Sequence, residues 1–358
     1  MEYGVPQGSI LGPLLFIIYI NDIPEIAQIA KFILYADDAN IILTADTIEQ
    51  INEQLEILSK NLLKWVTSNG LVLNLKKTKY MIFTQTRYTE LPRPLIISDT
   101  FIEQKHESRF LVVIMDDKLK WSQHITSVQS KMSRYVGIMY KIKKYLPLNA
   151  RIQIFHSFVQ SHVHHCSLVW GFSSKSYIET LFAKQKKGLR GVIPGFINYN
   201  YRNGVIPGHT KRYFTEYKIL TIQNLIIYNA LIFMQKIYNY RSLLPRSIIE
   251  TISNDSPNFE STHESCENWL STYNNAYYRQ SIFCKGPLLM VGSNINKNMS
   301  PASLVNIASY KINLKQSLLN IQSSGDTCEW HYNNFPLHNI PGLRKSRVKY
   351  RNAVDYKE

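Results

Sequence analysis

The residues best suited to chemistry are Asp37 and Asp38, in the run Phe32-Ile33-Leu34-Tyr35-Ala36-Asp37-Asp38-Ala39-Asn40-Ile41-Ile42-Leu43. The run reads as a strand, a tight turn and a second strand, because apolar β-formers flank one small residue and two carboxylates. The flanking runs are apolar enough to be buried. Adjacent carboxylates beside a core repel each other and lose hydration unless a cation compensates. A hard cation such as Mg²⁺ fits, since it takes oxygen ligands and keeps water or substrate oxygens in its shell. A hairpin whose turn is simply acidic is the other reading.

Other chemistry is thinner. Lys77, in the basic turn Lys76-Lys77-Thr78-Lys79, could protonate a leaving group. A solvated turn explains it equally. Asp116-Asp117 forms a second carboxylate pair and is expected to cap the next helix. His156, His162, His164, His165 and Cys166 cluster, with His162 and Cys166 on one helical face. No second ligand pair is spaced to close a zinc site. Cys166, Cys266, Cys284 and Cys328 form no Cys-x-x-Cys pair, so no disulfide framework is indicated and a reducing compartment is expected.

The elements that must hold these groups are set by pattern. The loop Gly4 to Gly12 leads, with Ser9 as a cap and Pro13 in the first turn, into an apolar helix ending near Asp22. Thr47 and Gln50 are spaced as a capping box for a helix with an apolar stripe from Ile48 to Trp65, terminated at Gly70. Strands are expected at Leu71–Asn74, Tyr80–Phe83 and Phe110–Met115, with a polar linker between the last two. Three helices come next. The first carries Ile125, Val128, Met132, Tyr135, Met139, Ile142 and Leu146 and stops at Pro147. The second runs from Ile152 to Cys166, and the third from about Ile178 to Ile193. Helices are also expected near Glu216–Tyr238 and over 302–321, and a basic tail at Arg344–Arg351.

Charge sorts along the chain. The 358 residues carry a net charge of +15, which points to a polyanionic partner. Residues 1–59 hold Lys31 against nine acids, whereas Lys118 to Ile178 contains no Asp or Glu. No secretory signal opens the sequence and no apolar run is long enough to span a bilayer, so an intracellular protein of nucleus and cytoplasm is expected.

Taken in order, Gly4 to Phe16, Tyr35-Ala36-Asp37-Asp38, Gly70-Leu71 with Asn74 and Lys77-Thr78, and Phe110-Leu111 resemble the reverse transcriptase of non-LTR, LINE-type retrotransposons. The stretch from Asp116 through Trp121 and His124-Ile125, and the helix ending in Val169-Trp170-Gly171, resemble the region after the palm in jockey-like elements. The resemblance covers roughly residues 2–195. It implies an α+β fold: a partial right-hand polymerase palm over 1–88, a linker with primer-grip strands over 89–120 and a helical thumb over 121–195. A mainly helical C-terminal region, partly disordered, fills 196–358. It further implies RNA-directed DNA synthesis by two-metal phosphoryl transfer. Asp37 and Asp38 would bind Mg²⁺, and Lys77 would sit near the pyrophosphate. Pro6, Gln7 and Gly8 would line nucleotide and template, while Tyr35 and Ala36 would shape the floor under the primer end. Phe110, Leu111, Val112 and Val113 would grip the primer. The partners implied are an RNA template, a DNA primer and dNTP, with no membrane. Two departures stand out. The family's earlier metal-binding aspartate and fingers lie upstream of Gly4, so the chain is expected to be inactive alone. Val112 stands where the family usually has glycine. A catalytically dead nucleic-acid-binding remnant is the alternative.

Overall fold

The computed structural model describes residues 8–84, 90–193, 210–240 and 307–323. The fold is α+β, with small two-stranded sheets followed by helices, and it divides into two units, 1–118 and 119–358.

In the first unit, helix α1 (Gly12–Tyr19) starts with proline in its first turn, as its restricted φ permits. Ser9 does not cap it; the cap position is Leu11, which offers no side-chain acceptor. Nor is it a buried helix. Leu11, Leu14, Leu15, Ile17 and Ile18 are all about half or more exposed, so a helix apolar on every face lacks cover among the described residues. Strands β1 (Ala30–Tyr35) and β2 (Asp38–Leu43) form an antiparallel hairpin. Its alternation buries one face only in part, so the runs around the carboxylates are half-exposed and not core.

Helix α2 (Ile48–Ser68) opens on the expected capping box, with Thr47 and Gln50 satisfying each other's backbone N–H. It closes at Asn69 with Gly70 beyond at φ +64°, a left-handed position that suits glycine. Three polar bonds tie α2 to the chain before the hairpin. Tyr19 Oη donates to the Asn69 carbonyl, Asn61 Nδ2 to the Ile26 carbonyl at 3.0 Å, and Trp65 Nε1 to Asp22 Oδ2 at 3.2 Å.

The strand expected at 71–74 is absent, and the one expected at 80–83 shrinks to β3 (Lys79–Tyr80). The intervening backbone is spent on a turn. The Asn74 carbonyl accepts from the N–H groups of Lys77 and Thr78, and Asn74 Oδ1 from Lys77 N at 3.2 Å. β3 pairs parallel with β6 (Glu103–Gln104). The intervening β4 (Ile96–Ile97) and β5 (Thr100–Phe101) pair antiparallel. Leu95, Ile97 and Ile102 form a small core under Leu55, Leu63, Leu75, Tyr80 and Leu91. The single strand expected at 110–115 is instead a hairpin of β7 (Glu107–Phe110) and β8 (Val113–Asp116), turning at Leu111-Val112.

The second unit is helical. α3 (Ser122–Ile142) buries Ile125, Val128, Met132, Val136 and Met139, the stripe read from the sequence with Val136 in place of Tyr135. The second helix is broken, not continuous. α4 (Leu148–Phe155) passes through a π-turn at His156–Gln160 into α5 (Ser161–His164), and Cys166 at φ +50° then redirects the chain into α6 (Ser167–Trp170). α7 (Lys175–Val192) lies along α3. The helix expected at 216–238 is α9 (Ile222–Asn239), which starts later than expected because the chain turns at Lys218, φ +52°, out of a separate short helix, α8 (Lys211–Glu216). α10 (Ile307–Ser323) packs on α8 and α9.

Three glutamines fasten the α8–α9 turn. Gln160 and Gln185 both donate to the Leu220 carbonyl, Gln185 also accepts from Ile222 N, and Gln322 of α10 donates to the Ile219 carbonyl. Buried backbone groups need such partners, and these side chains supply them between the two helices. Among the described residues no helix is long and apolar enough to cross a membrane.

Candidate functional site

The β1–β2 hairpin presents Asp37 and Asp38. Tyr35 pairs with Asp38, leaving Ala36 and Asp37 as a two-residue turn. Ala36 sits at φ +49°, where a Cβ is disfavoured and only a small side chain is cheap. Both carboxylates are exposed, and neither has a hydrogen-bond or ion-pair partner among the described residues. The turn thus holds two acceptor-only groups that stay hydrated, so the loss of hydration expected from the sequence does not occur and does not by itself call for a cation; Tyr35 is also exposed.

As a donor set this suits a hard divalent cation in part. Two carboxylates on one turn can share oxygen ligation, and a Mg²⁺ shell of six is completed by water, substrate oxygens and further carboxylates. Among the described residues no group of three or more His, Cys, Asp or Glu is placed to hold a metal. The pair therefore needs ligands from outside those residues to close a metal centre.

The other sequence-selected residues divide. Gly8 is exposed at φ +85°, with nothing within 4 Å of where a Cβ would stand, so its backbone is open to close approach. Pro6 and Gln7 lie outside the described residues, as does the basic tail at 344–351. Lys77 is exposed on the Asn74 turn. Phe110 closes the β7–β8 hairpin opposite Val113, and Leu111 and Val112 form its tip at φ +43° and +77°.

The second carboxylate pair does not cap α3. Asp117 Oδ2 lies 2.8 Å from His106 Nδ1, and Asp116 Oδ1 accepts from Lys118 N at 3.2 Å. The histidine cluster is also dispersed. His162 stacks on Tyr135 at 5.6 Å, His164 Nδ1 meets Asn229 Nδ2 at 3.3 Å, and His165 Nε2 lies 3.6 Å from Cys166 Sγ. Burial holds the His156, His162 and His164 imidazoles below their ordinary pKa and raises that of the Cys166 thiol.

What sequence reasoning missed is a groove between α3 and α7. Ser133, Val136, Gly137, Tyr140, Lys184 and Lys187 line a cavity of about 350 Å³. Its only trace in the sequence is the lack of acids opposite the α7 lysines.

The family model described as "Reverse transcriptase (RNA-dependent DNA polymerase)" matches residues 1–138, which include the hairpin, the Asn74 turn and β7–β8. The chain is 26% identical over 194 residues to the probable RNA-directed DNA polymerase from transposon X-element of Drosophila melanogaster, covering 52% of this chain and 21% of that protein. It is 25% identical over 202 residues to the RNA-directed DNA polymerase from mobile element jockey of Drosophila funebris, covering 54% and 22%. The chain spans about a fifth of the length of these curated relatives. No solved structure matches it. The chain is thus similar to reverse transcriptases over residues 1–138, and over about half its length to the RNA-directed DNA polymerases of two mobile elements.

Proposed function

We propose that the chain is part of an RNA-directed DNA polymerase of a non-LTR retrotransposon, with Asp37 and Asp38 as carboxylate ligands of its catalytic Mg²⁺. The observation that carries this is the hairpin: two unpaired, exposed carboxylates on one tight turn, inside the segment that matches the reverse transcriptase family. In this reading residues up to 88 belong to the palm, 89–120 carry the primer-grip strands, and the helices from α3 to α7 form the thumb.

Mg²⁺ held there would supply the charge that activates a primer 3′ hydroxyl and steadies the leaving pyrophosphate. The chain's own residues position and exclude. Ala36 keeps the turn tight, which holds the two carboxylates at one end of the hairpin. Tyr35, across from Asp38, offers an exposed ring as a floor for the terminal base pair. Gly8, with Pro6 and Gln7 beside it, gives template and dNTP access to bare backbone. Lys77 provides a proton or a positive charge for pyrophosphate. The tip at Phe110, Leu111 and Val112 contacts the primer strand. An intracellular setting, nucleus and cytoplasm, goes with this reading.

Because two carboxylates do not enclose a two-metal centre, the chain alone is expected to give no extension. The test is RNA-templated primer extension with Mg²⁺ by the chain joined behind the corresponding upstream part of its jockey relative. Asp37→Asn should lower the rate at least about a hundredfold, the scale of losing several kcal/mol of charge stabilisation. Equal extension by the variant removes Asp37 from the metal site.

A second reading, a nucleic-acid binder without catalysis, is favoured by the lack of a third metal ligand among the described residues and by the acid-free stretch Lys118–Ile178. It predicts salt-dependent binding but no extension even in the joined protein.

A further inference from the structure

Three glycines line the contact of α3 with α7, and the fold accounts for two. A Cβ on Gly188 would come within 3.0 Å of Phe155 and 3.2 Å of Val136, and one on Gly191 within 3.2 Å of the Tyr140 ring. Both glycines let the helices approach closely. Gly137, in the middle of α3, is different. Nothing lies within 4 Å of its Cβ position, so packing does not ask for glycine there, although glycine weakens a helix interior. What its missing side chain leaves open is the 350 Å³ groove.

The groove is cationic on one wall and apolar on its floor. Lys184 and Lys187 stand on α7, whose single acid, Glu179, lies 3.7 Å from Lys175. α3 contributes no acid at all. Neither groove lysine has a carboxylate partner among the described residues. Tyr140 pins the wall by donating from Oη to the Lys187 carbonyl at 3.3 Å, and the Lys143 ammonium lies 5.0 Å from its ring centroid. The bare Gly137 backbone and the Tyr140 ring form the floor, with Val136, only 2% exposed, beneath them. Unneutralised lysines beside an apolar floor suit a ligand with one anionic and one flat apolar part.

We infer that this groove holds one unpaired nucleotide of a single-stranded nucleic acid, its phosphate between Lys184 and Lys187 and its base against Gly137 and the Tyr140 ring. The volume is at the small end of ligand pockets, roughly 300 Å³ and upward, and so matches a single nucleotide. Unstacked bases and backbone charge are what proteins recognise in single strands. The ligand class rests on the reverse-transcriptase reading; the site rests on the groove.

The test uses fluorescence anisotropy of a labelled single-stranded RNA of about 12 nucleotides, within the span of single-strand sites. Gly137→Leu starts its side chain from a Cβ position with nothing within 4 Å and directs bulk into the groove, and Gly137→Ala controls for helix propensity; the melting temperature should hold or rise while single-strand affinity of the leucine variant falls at least about tenfold. Lys184→Ala with Lys187→Ala should flatten the plot of log K against log salt by about 0.7 or more, the value of one phosphate contact on a single strand. Wild-type single-strand affinity in Gly137→Leu, with duplex RNA still bound, overturns the groove and leaves the polymerase reading standing. A wild-type chain that binds neither single strand nor duplex overturns both. Displacement of the oligonucleotide by polyglutamate of equal charge, as effective as by unlabelled RNA, assigns the groove to acidic peptide and also overturns the inference.

Discussion

Phe110 and Val113 pair directly across a turn of two residues, and both turn residues, Leu111 and Val112, lie at positive φ. A two-residue antiparallel connection favours this geometry because its twist matches the strands, and it asks for Gly, Asn or Asp. Here it holds a leucine and a β-branched valine. A β-branched residue in the left-handed region is strained by roughly 1–2 kcal/mol.

Val112→Gly should therefore stabilise the β7–β8 hairpin. Relief of strain outweighs the extra backbone entropy of glycine, roughly 0.5–1 kcal/mol, for a net gain of about 1 kcal/mol. Val112 is 53% exposed, so little burial is lost. Slower amide exchange across β7 and β8 is the readout. Exchange that is unchanged or faster shows that the valine is not strained in solution.

Gly171→Ala should do the reverse. A Cβ there would lie 2.3 Å from the Ser167 carbonyl oxygen and 2.8 Å from Ile226 Cγ2, where backbone and a core side chain cannot both yield. A loss of about 3 kcal/mol is expected, at the upper end for overpacking. Urea denaturation measures it, with Gly137→Ala as the contrast that gains up to about 1 kcal/mol from helix propensity alone.

The helical unit should weaken in mild acid. His124 is buried, with its ring 5.4 Å from that of Trp170, and burial, then Lys131 and His165, bring its pKa down from 6.5 to about 4. The unfolded chain binds the proton more readily. The stabilising effect is therefore fully present above pH 6.5, falls as pH drops towards 4, and is gone below that. The loss is roughly 2–3 kcal/mol over that window. His156, His162 and His164 are lowered too and steepen the same slope. His124→Gln should flatten stability against pH between 6.5 and 4, measured by urea midpoints. A slope equal to wild type removes His124 as a contributor.

Much of this was legible in the sequence, for identifiable reasons. The Thr47–Gln50 capping box, Gly70 and the α3 stripe depend on local spacing, and they appear where expected. Asp37-Asp38 on a hairpin turn was legible because alternation and a small residue at the bend are also local. The π-turn and the redirect at Cys166 were not, because an apolar stripe continues in sequence whether or not the helix does. The turn at Lys218, which delays the start of α9, escaped for a similar reason: the carbonyls it frees are satisfied by Gln160, Gln185 and Gln322, the last about a hundred positions away in the chain. The groove at Gly137 was invisible because a helical glycine looks alike whether a neighbour presses on it or nothing does.

The match to the family ends at residue 138, inside the 21-residue helix Ser122–Ile142. A fragment cut to that limit would sever α3 after Ile138 and strip Met139 and Tyr140 from their seats against Gly191. The polypeptide's own seam lies at Lys118–Leu119, some twenty residues earlier. Family limits and folding limits disagree here, and a shortened protein trimmed to the former would carry the opening turns of a bundle with most of the bundle gone.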